Sequence, residues 1–132
     1  MSIQTSAAAE HIAAAVAGAP GLEVLFLFGS RARGEAHPGS DWDFGYLCGG
    51  ALDVDGLRST LIATVSSDRV DLADLSRARG LLRYRVARDG QVVFERTIRL
   101  ADAFRLEAAD FWCDAGELLQ RGYHDVLAGL ER

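Results

Sequence analysis

Lysine is absent from this chain: all fourteen basic residues among its 132 are arginine. A phosphate-binding loop of the GxxxxGK[ST] type is therefore excluded. Any phosphate must be held by backbone N–H groups, hydroxyls, arginine or a metal ion. Cysteine is scarce, with only Cys48 and Cys113 and no CxxC spacing. That excludes a disulfide framework or a thiolate zinc ribbon and suits two free thiols in a reducing cytosol. The three histidines, His11, His37 and His124, are scattered and form no HExxH pattern. Positive charge is in deficit, with a net charge of −5, so a basic face for non-specific nucleic-acid binding is not expected. The first Lys or Arg is Arg31 and Glu10 interrupts the N-terminal stretch, which argues against a signal peptide. No apolar run reaches membrane-spanning length. The expectation is a cytoplasmic protein without a membrane partner.

Hydrophobic residues are plentiful, at 49%. A chain of this length can then bury a core without staples. No repeat, low-complexity tract or linker divides it, so residues 1–132 read as a single domain. An alanine-rich helix is expected from about residue 5 to 18, started by Thr5 or Ser6 and stopped by Gly18, Pro20 and Gly21. Strands are expected at about 23–28, 41–48, 69–75 and 91–95. Helices are expected at 53–66, with Asp53 and Asp55 in the first turn, and at 76–88, with Ser76 as cap. From about 98 to 130 the apolar residues recur at three- and four-residue steps, which predicts a helical C-terminal segment. Trp112 and Tyr123 lie off its main apolar stripe and are candidates for a partner contact. Strands alternating with helices imply an α/β (α+β) fold with a small mixed sheet of about four strands.

The informative stretch follows the run Val24-Leu25-Phe26-Leu27-Phe28, a buried strand that ends at Gly29-Ser30. The glycine and serine form a tight turn, and Arg31-Ala32-Arg33 is expected to start a short helix. A small hydroxyl and free N–H groups at such a place cradle phosphate. Ten residues separate Ser30 from Asp41, and Asp43 follows two further on. In a strand these two carboxylates share a face, with Trp42 and Phe44 on the other. Adjacent carboxylates repel, and a hard divalent cation such as Mg²⁺ relieves that repulsion. The same alternation in Val70-Asp71-Leu72-Ala73 sets Asp71 where it can join them from a neighbouring strand, with Asp74 as the fallback. His37, in the Pro38-Gly39 loop, reads as an ordinary loop histidine. The arginines at 77, 79, 83, 85 and 88 read as a solvated helix face, with a basic rim for phosphates as the alternative.

Gly-Ser, ten residues, Asp-x-Asp resembles the signature of the nucleotidyltransferase (DNA polymerase beta-like) superfamily. The flanks Arg31-Ala32-Arg33-Gly34 and Ser40-Asp41-Trp42-Asp43-Phe44 are similar to its minimal single-domain bacterial branch. Val70-Asp71-Leu72-Ala73-Asp74-Leu75 resembles the place of that family's third carboxylate. The resemblance implies the nucleotidyltransferase fold. It implies Asp41, Asp43 and Asp71 as catalytic metal ligands for Mg²⁺. It further implies Gly29, Ser30, Arg31, Arg33 and Ser40 as nucleotide-binding residues, with ATP as substrate. A small acidic member looks most like the antitoxin of a HEPN/MNT toxin–antitoxin pair. Such an enzyme passes AMP from ATP to a tyrosine of a HEPN-domain RNase toxin and acts on no nucleic acid directly. A small-molecule adenylyltransferase and a contact-only binding module are the alternatives.

Overall fold

The computed structural model describes residues 2–110, with side chains from residue 7 onward. Phe111 to Arg132, including Cys113 and the candidate partner contacts Trp112 and Tyr123, lie outside the described residues. The elements run α1 (Ser2–Val16), β1 (Leu22–Phe28), β2 (Trp42–Cys48), α2 (Val54–Val65), β3 (Val70–Asp74), α3 (Gly80–Asp89) and β4 (Gln91–Glu95). A further helix, α4, covers 100–110, the end of the described residues.

The strands form one mixed sheet in the order β3-β2-β1-β4. β1 pairs antiparallel with β2 and β4, and β2 pairs parallel with β3. β1 is central and buried on both faces, which explains its unbroken apolar run. Leu25 and Leu27 enter one core cluster with Ile12, Val16, Phe44, Leu57, Leu61 and Val70, supplied largely by α1 and α2. Val24 and Phe26 enter the other with Leu75 from the turn after β3, Val86 from α3, and Ala101 and Phe104 from α4. Phe26 and Phe44 are fully buried, one in each cluster. Burial of an aromatic or aliphatic side chain of this kind stabilises by about 1.5–3 kcal/mol.

α2 starts as its sequence predicts, with Asp53 accepting from the Gly56 N–H at 3.0 Å. Three expectations are corrected. α1 begins at Ser2, so Thr5 and Ser6 lie within the helix and do not cap it. The residues after Ser30 form turns and no regular helix: Ala32 and Arg33 both donate to the Gly29 carbonyl, while Glu35 donates to that of Ser30. α3 begins at Gly80, four residues later than expected. Ser76 is engaged in the preceding turn, its N–H and hydroxyl both donating to the Asp74 carboxylate at 3.0 and 2.7 Å. Asp74 is thereby assigned to that turn.

Strand polarity decides where the site lies. The end of β1 and the start of β2 are at the same sheet edge because the two strands are antiparallel. The start of β3 joins them there because it runs parallel to β2. Gly29, Asp43 and Asp71 thus meet at one edge, on the face covered by α3.

Candidate active site

Asp41 stands just before β2, Asp43 is its second residue, and Asp71 is the second residue of β3. Asp43 and Asp71 are register partners on adjacent strands. Trp42 and Phe44 turn to the opposite face, where their rings stack 6.2 Å apart. Asp43 is half-buried, and its pKa is raised above the usual carboxylate range. Burial is the largest cause, followed by the charges of Asp71 and Asp41 and by a hydrogen bond between the Asp43 and Asp71 side chains; Arg33 pulls weakly the other way. The three acids therefore interact as one negatively charged group.

Gly29 adopts φ +76°, and a Cβ there would collide with the Asp43 carboxylate. The missing side chain is what lets the acid lie against the turn. Ser30 follows in that turn, which is further held by Gln91 Nε2 donating to the Ala32 carbonyl at 2.9 Å. A cleft of about 400 Å³ opens beside it, lined by Phe28, Gly29, Ser30, Arg33, Ser40, Asp41, Asp43, Leu82 and Arg85. Four of the five sequence-predicted nucleotide-binding residues, Gly29, Ser30, Arg33 and Ser40, line this cleft together with Asp41 and Asp43. Asp71 is linked to it through Asp43.

Arg31 is placed differently. Its guanidinium lies 4.1 Å from the Trp42 ring centroid and donates to the Ser40 carbonyl at 2.9 Å and the His37 carbonyl at 3.5 Å. It holds the loop that delivers Asp41 and is not among the cleft-lining residues. His37 serves the same loop, its N–H donating to Ser40 Oγ at 2.9 Å and its Nδ1 accepting from the Gly39 N–H. Arg69 braces the loop from outside, donating to the Gly39 carbonyl at 2.9 Å and pairing with Asp41 at 3.6 Å.

Leu82 and Arg85 are cleft residues that the motif did not single out. Their three-residue spacing on a helix puts them on one face, but only the packing of α3 shows which of the five arginines faces the cleft. Arg83 instead donates to the Leu75 carbonyl and pairs with Glu107. Arg77 pairs with Asp74, and Arg88 forms two bonds with Asp89.

Among the described residues, no three Asp, Glu, His or Cys side chains form a closed set of metal ligands, and Asp41 is engaged with Arg69. The donor set still suits a hard divalent cation. It consists of carboxylate oxygens alone, and the upward shift of Asp43 reflects burial first and the charges of Asp71 and Asp41 second, both of which such an ion would offset.

The family model for polymerase beta-type nucleotidyltransferases matches residues 10–99, which include the Gly-Ser turn and all three acids. The chain belongs to this nucleotidyltransferase family. It is 34% identical over 89 residues to the protein adenylyltransferase MntA of Aphanizomenon flos-aquae (strain 2012/KM1/D3). That similarity covers 58% of this chain and 59% of the relative, so the match spans little more than half of the relative's length. A solved toxin–antitoxin structure with AMP-PNP contains a chain that superposes with a TM-score of 0.72 at 27% identity, over 90% of this nucleotidyltransferase and 98% of that chain. A chain of the solved complex of a tri-AMPylated Shewanella oneidensis HEPN toxin with MNT antitoxin shares the fold, with a TM-score of 0.67 at 24% identity over 93% and 98% of the two chains. Among the described residues, no helix is long and apolar enough to cross a membrane.

Proposed function

We propose that this nucleotidyltransferase is an antitoxin that transfers AMP from ATP, with Mg²⁺, to a tyrosine of a HEPN-domain RNase toxin and so neutralises it. The observation that carries the reading is the meeting of Ser30, Arg33, Asp41 and Asp43 around one cleft, with Asp71 coupled to Asp43. The likeness to an adenylyltransferase MntA and to a toxin–antitoxin chain solved with AMP-PNP supports both the reaction and the class of partner. A chain of net charge −5 is suited to an RNA-cleaving, and hence basic, partner.

In the reaction the acceptor hydroxyl oxygen bonds to the α-phosphorus. The bond from that phosphorus to the bridging oxygen breaks, and pyrophosphate leaves with the electron pair. Asp43 and Asp71 would hold the Mg²⁺, with Asp41 joining them from its pairing with Arg69. The ion supplies Lewis-acid stabilisation of charge on the phosphoryl oxygens. Asp71, exposed beside the half-buried Asp43 and without the arginine pairing that Asp41 has, is suited to take the hydroxyl proton. Ser30 and the turn around it offer a hydroxyl and N–H donors to phosphate oxygens.

The test is intact-mass analysis of the product of the adjacent gene after incubation with this protein, ATP and Mg²⁺. The expected result is a gain of one or more AMP units, lost with Asp43→Ala. Equal inhibition of the partner by Asp43→Ala without a mass change would establish a contact-only antitoxin. AMP transfer to a small hydroxylated compound and to no protein would establish a small-molecule enzyme.

A further inference from the structure

Resting on the nucleotidyltransferase reading above, we infer that Arg85 of α3 is the residue that recognises the β- and γ-phosphates of the nucleotide and neutralises the departing pyrophosphate.

The cleft lining carries charges of both signs. The acids are Asp41 and Asp43, with Asp71 beside Asp43; among the described residues, the only cationic side chains in the lining are Arg33 and Arg85. The α-phosphate must face the carboxylates, because the acceptor and the metal meet there. The remaining charge of a triphosphate sits on its β- and γ-groups, which then require the arginines.

Of the two, Arg33 is already engaged, its Nε pairing with Glu35 at 3.0 Å. Arg85 has no hydrogen bond or ion pair among the described residues, although it is half-buried. The nearby acid that feels its charge, Asp89, accepts from Nε and Nη2 of Arg88. A half-buried guanidinium whose donors bond to no acceptor among the described residues is unfavourable, and an incoming polyanion would supply the acceptors.

Its platform is fixed. The Gly90 N–H donates to the Val86 carbonyl at 2.7 Å at the end of α3. Arg105 of α4 donates to the carbonyls of Ala87 and Gly90 at 3.2 and 2.8 Å. Val86, one residue from Arg85, is fully buried against β1 and α4. A side chain on so anchored an element is positioned for recognition rather than for non-specific attraction.

The test measures AMP, ADP and ATP binding by calorimetry in the presence of Mg²⁺. The proteins are wild type, Arg85→Ala, Arg85→Lys and, as a control on an exposed turn outside the cleft, Arg79→Ala. Loss of charge-assisted phosphate contacts in Arg85→Ala is expected to weaken ATP about 10- to 100-fold. ADP should weaken less and AMP change less than about twofold; free pyrophosphate should lose its inhibition of ATP binding. Arg85→Lys should recover part of the loss, since it keeps the charge without the planar fork. Arg79→Ala should match wild type. Should Arg85→Ala not fold, Arg85→Gln keeps most of the stem and repeats the series. Unchanged ATP affinity, or an equal loss for AMP and ATP, overturns the assignment while leaving the nucleotidyltransferase reading intact. Failure of the wild type to bind any of the three nucleotides overturns both.

Discussion

The Asp43 carboxylate occupies the space that a side chain on Gly29 would fill. The two residues come from antiparallel neighbours, Phe28 of β1 being paired with Asp43 of β2. Glycine is required here twice over, once for its φ of +76° and once for the approach of the acid. Gly29→Ala is expected to cost about 1–2 kcal/mol from the left-handed backbone alone. It should also displace Asp43 and reduce AMP transfer by about 100-fold or more, as misplacement of a reacting group by an ångström does. Thermal melts and a transfer assay on the same preparation check both parts.

Asp43→Asn should separate stability from activity in opposite directions. The side chain is half-buried and faces Asp71 across the strand pair, so its charge opposes folding. The amide removes that repulsion, and a rise in stability of about 0.2–1 kcal/mol is expected at neutral pH. Transfer should be lost, because the carboxylate proposed to ligate the divalent ion is gone. A melting temperature that falls would show that the Asp43 carboxylate supports the fold.

The same shift sets a pH dependence. The folded-state pKa of Asp43 is raised above 3.8, so the native state holds this proton at pH values where the unfolded chain has released it. Its unfavourable contribution is full above the raised pKa and is relieved as pH falls toward 3.8. Mg²⁺ affinity should move the other way and weaken as pH falls through that window, since the protonated acid no longer ligates. Urea melts of wild type and Asp43→Asn should differ at neutral pH and converge on acidification.

Much of this arrangement was legible in the sequence because it depends on strand periodicity. The alternation Asp41-Trp42-Asp43-Phe44 and Val70-Asp71-Leu72 separates acids from apolar residues without reference to distant parts of the chain. The run from Val24 to Phe28 likewise marked a strand buried on both sides. The start of α3 was not legible, because a serine hydroxyl serves a turn as readily as a helix cap, and Asp74 decides between them. Nor could the sequence assign its arginines. Whether Arg31, Arg83 or Arg85 reaches the cleft depends on where Trp42, Glu107 and β1 lie in space, and flexible side chains carry no periodic signal.

Arg96 joins the ends of the sheet to α1. Its guanidinium donates to the carbonyls of Ala17, Ala19 and Leu22 at 2.9, 3.0 and 3.2 Å and lies over Phe94. These acceptors lie beyond the C-terminus of α1, in its connection to β1 and at the first residue of that strand. Arg96→Ala is expected to destabilise by about 2 kcal/mol, allowing for partial replacement of the lost bonds by water. Urea unfolding should show a lower midpoint with an unchanged slope. Nucleotide affinity at the opposite sheet edge should stay as in wild type.

Arg31 is expected to act through Asp41 and not through phosphate. Its guanidinium is sandwiched between the Trp42 ring and the Ser40 and His37 carbonyls, and it is absent from the cleft lining. Arg69 holds the adjacent Gly39 carbonyl, so the loop carrying Asp41 is fixed from both sides. Arg31→Ala should release the inner side, costing about 1.5–3 kcal/mol for a charge-assisted bond to backbone together with the ring contact. The functional signature should be a higher Mg²⁺ requirement with ATP affinity at saturating metal changed less than about threefold, since the acid is misplaced while the phosphate donors remain. Arg31→Lys should not restore the metal requirement, because an ammonium cannot both stack on Trp42 and span the carbonyls. A selective loss of ATP affinity with normal Mg²⁺ dependence would instead place Arg31 on the triphosphate.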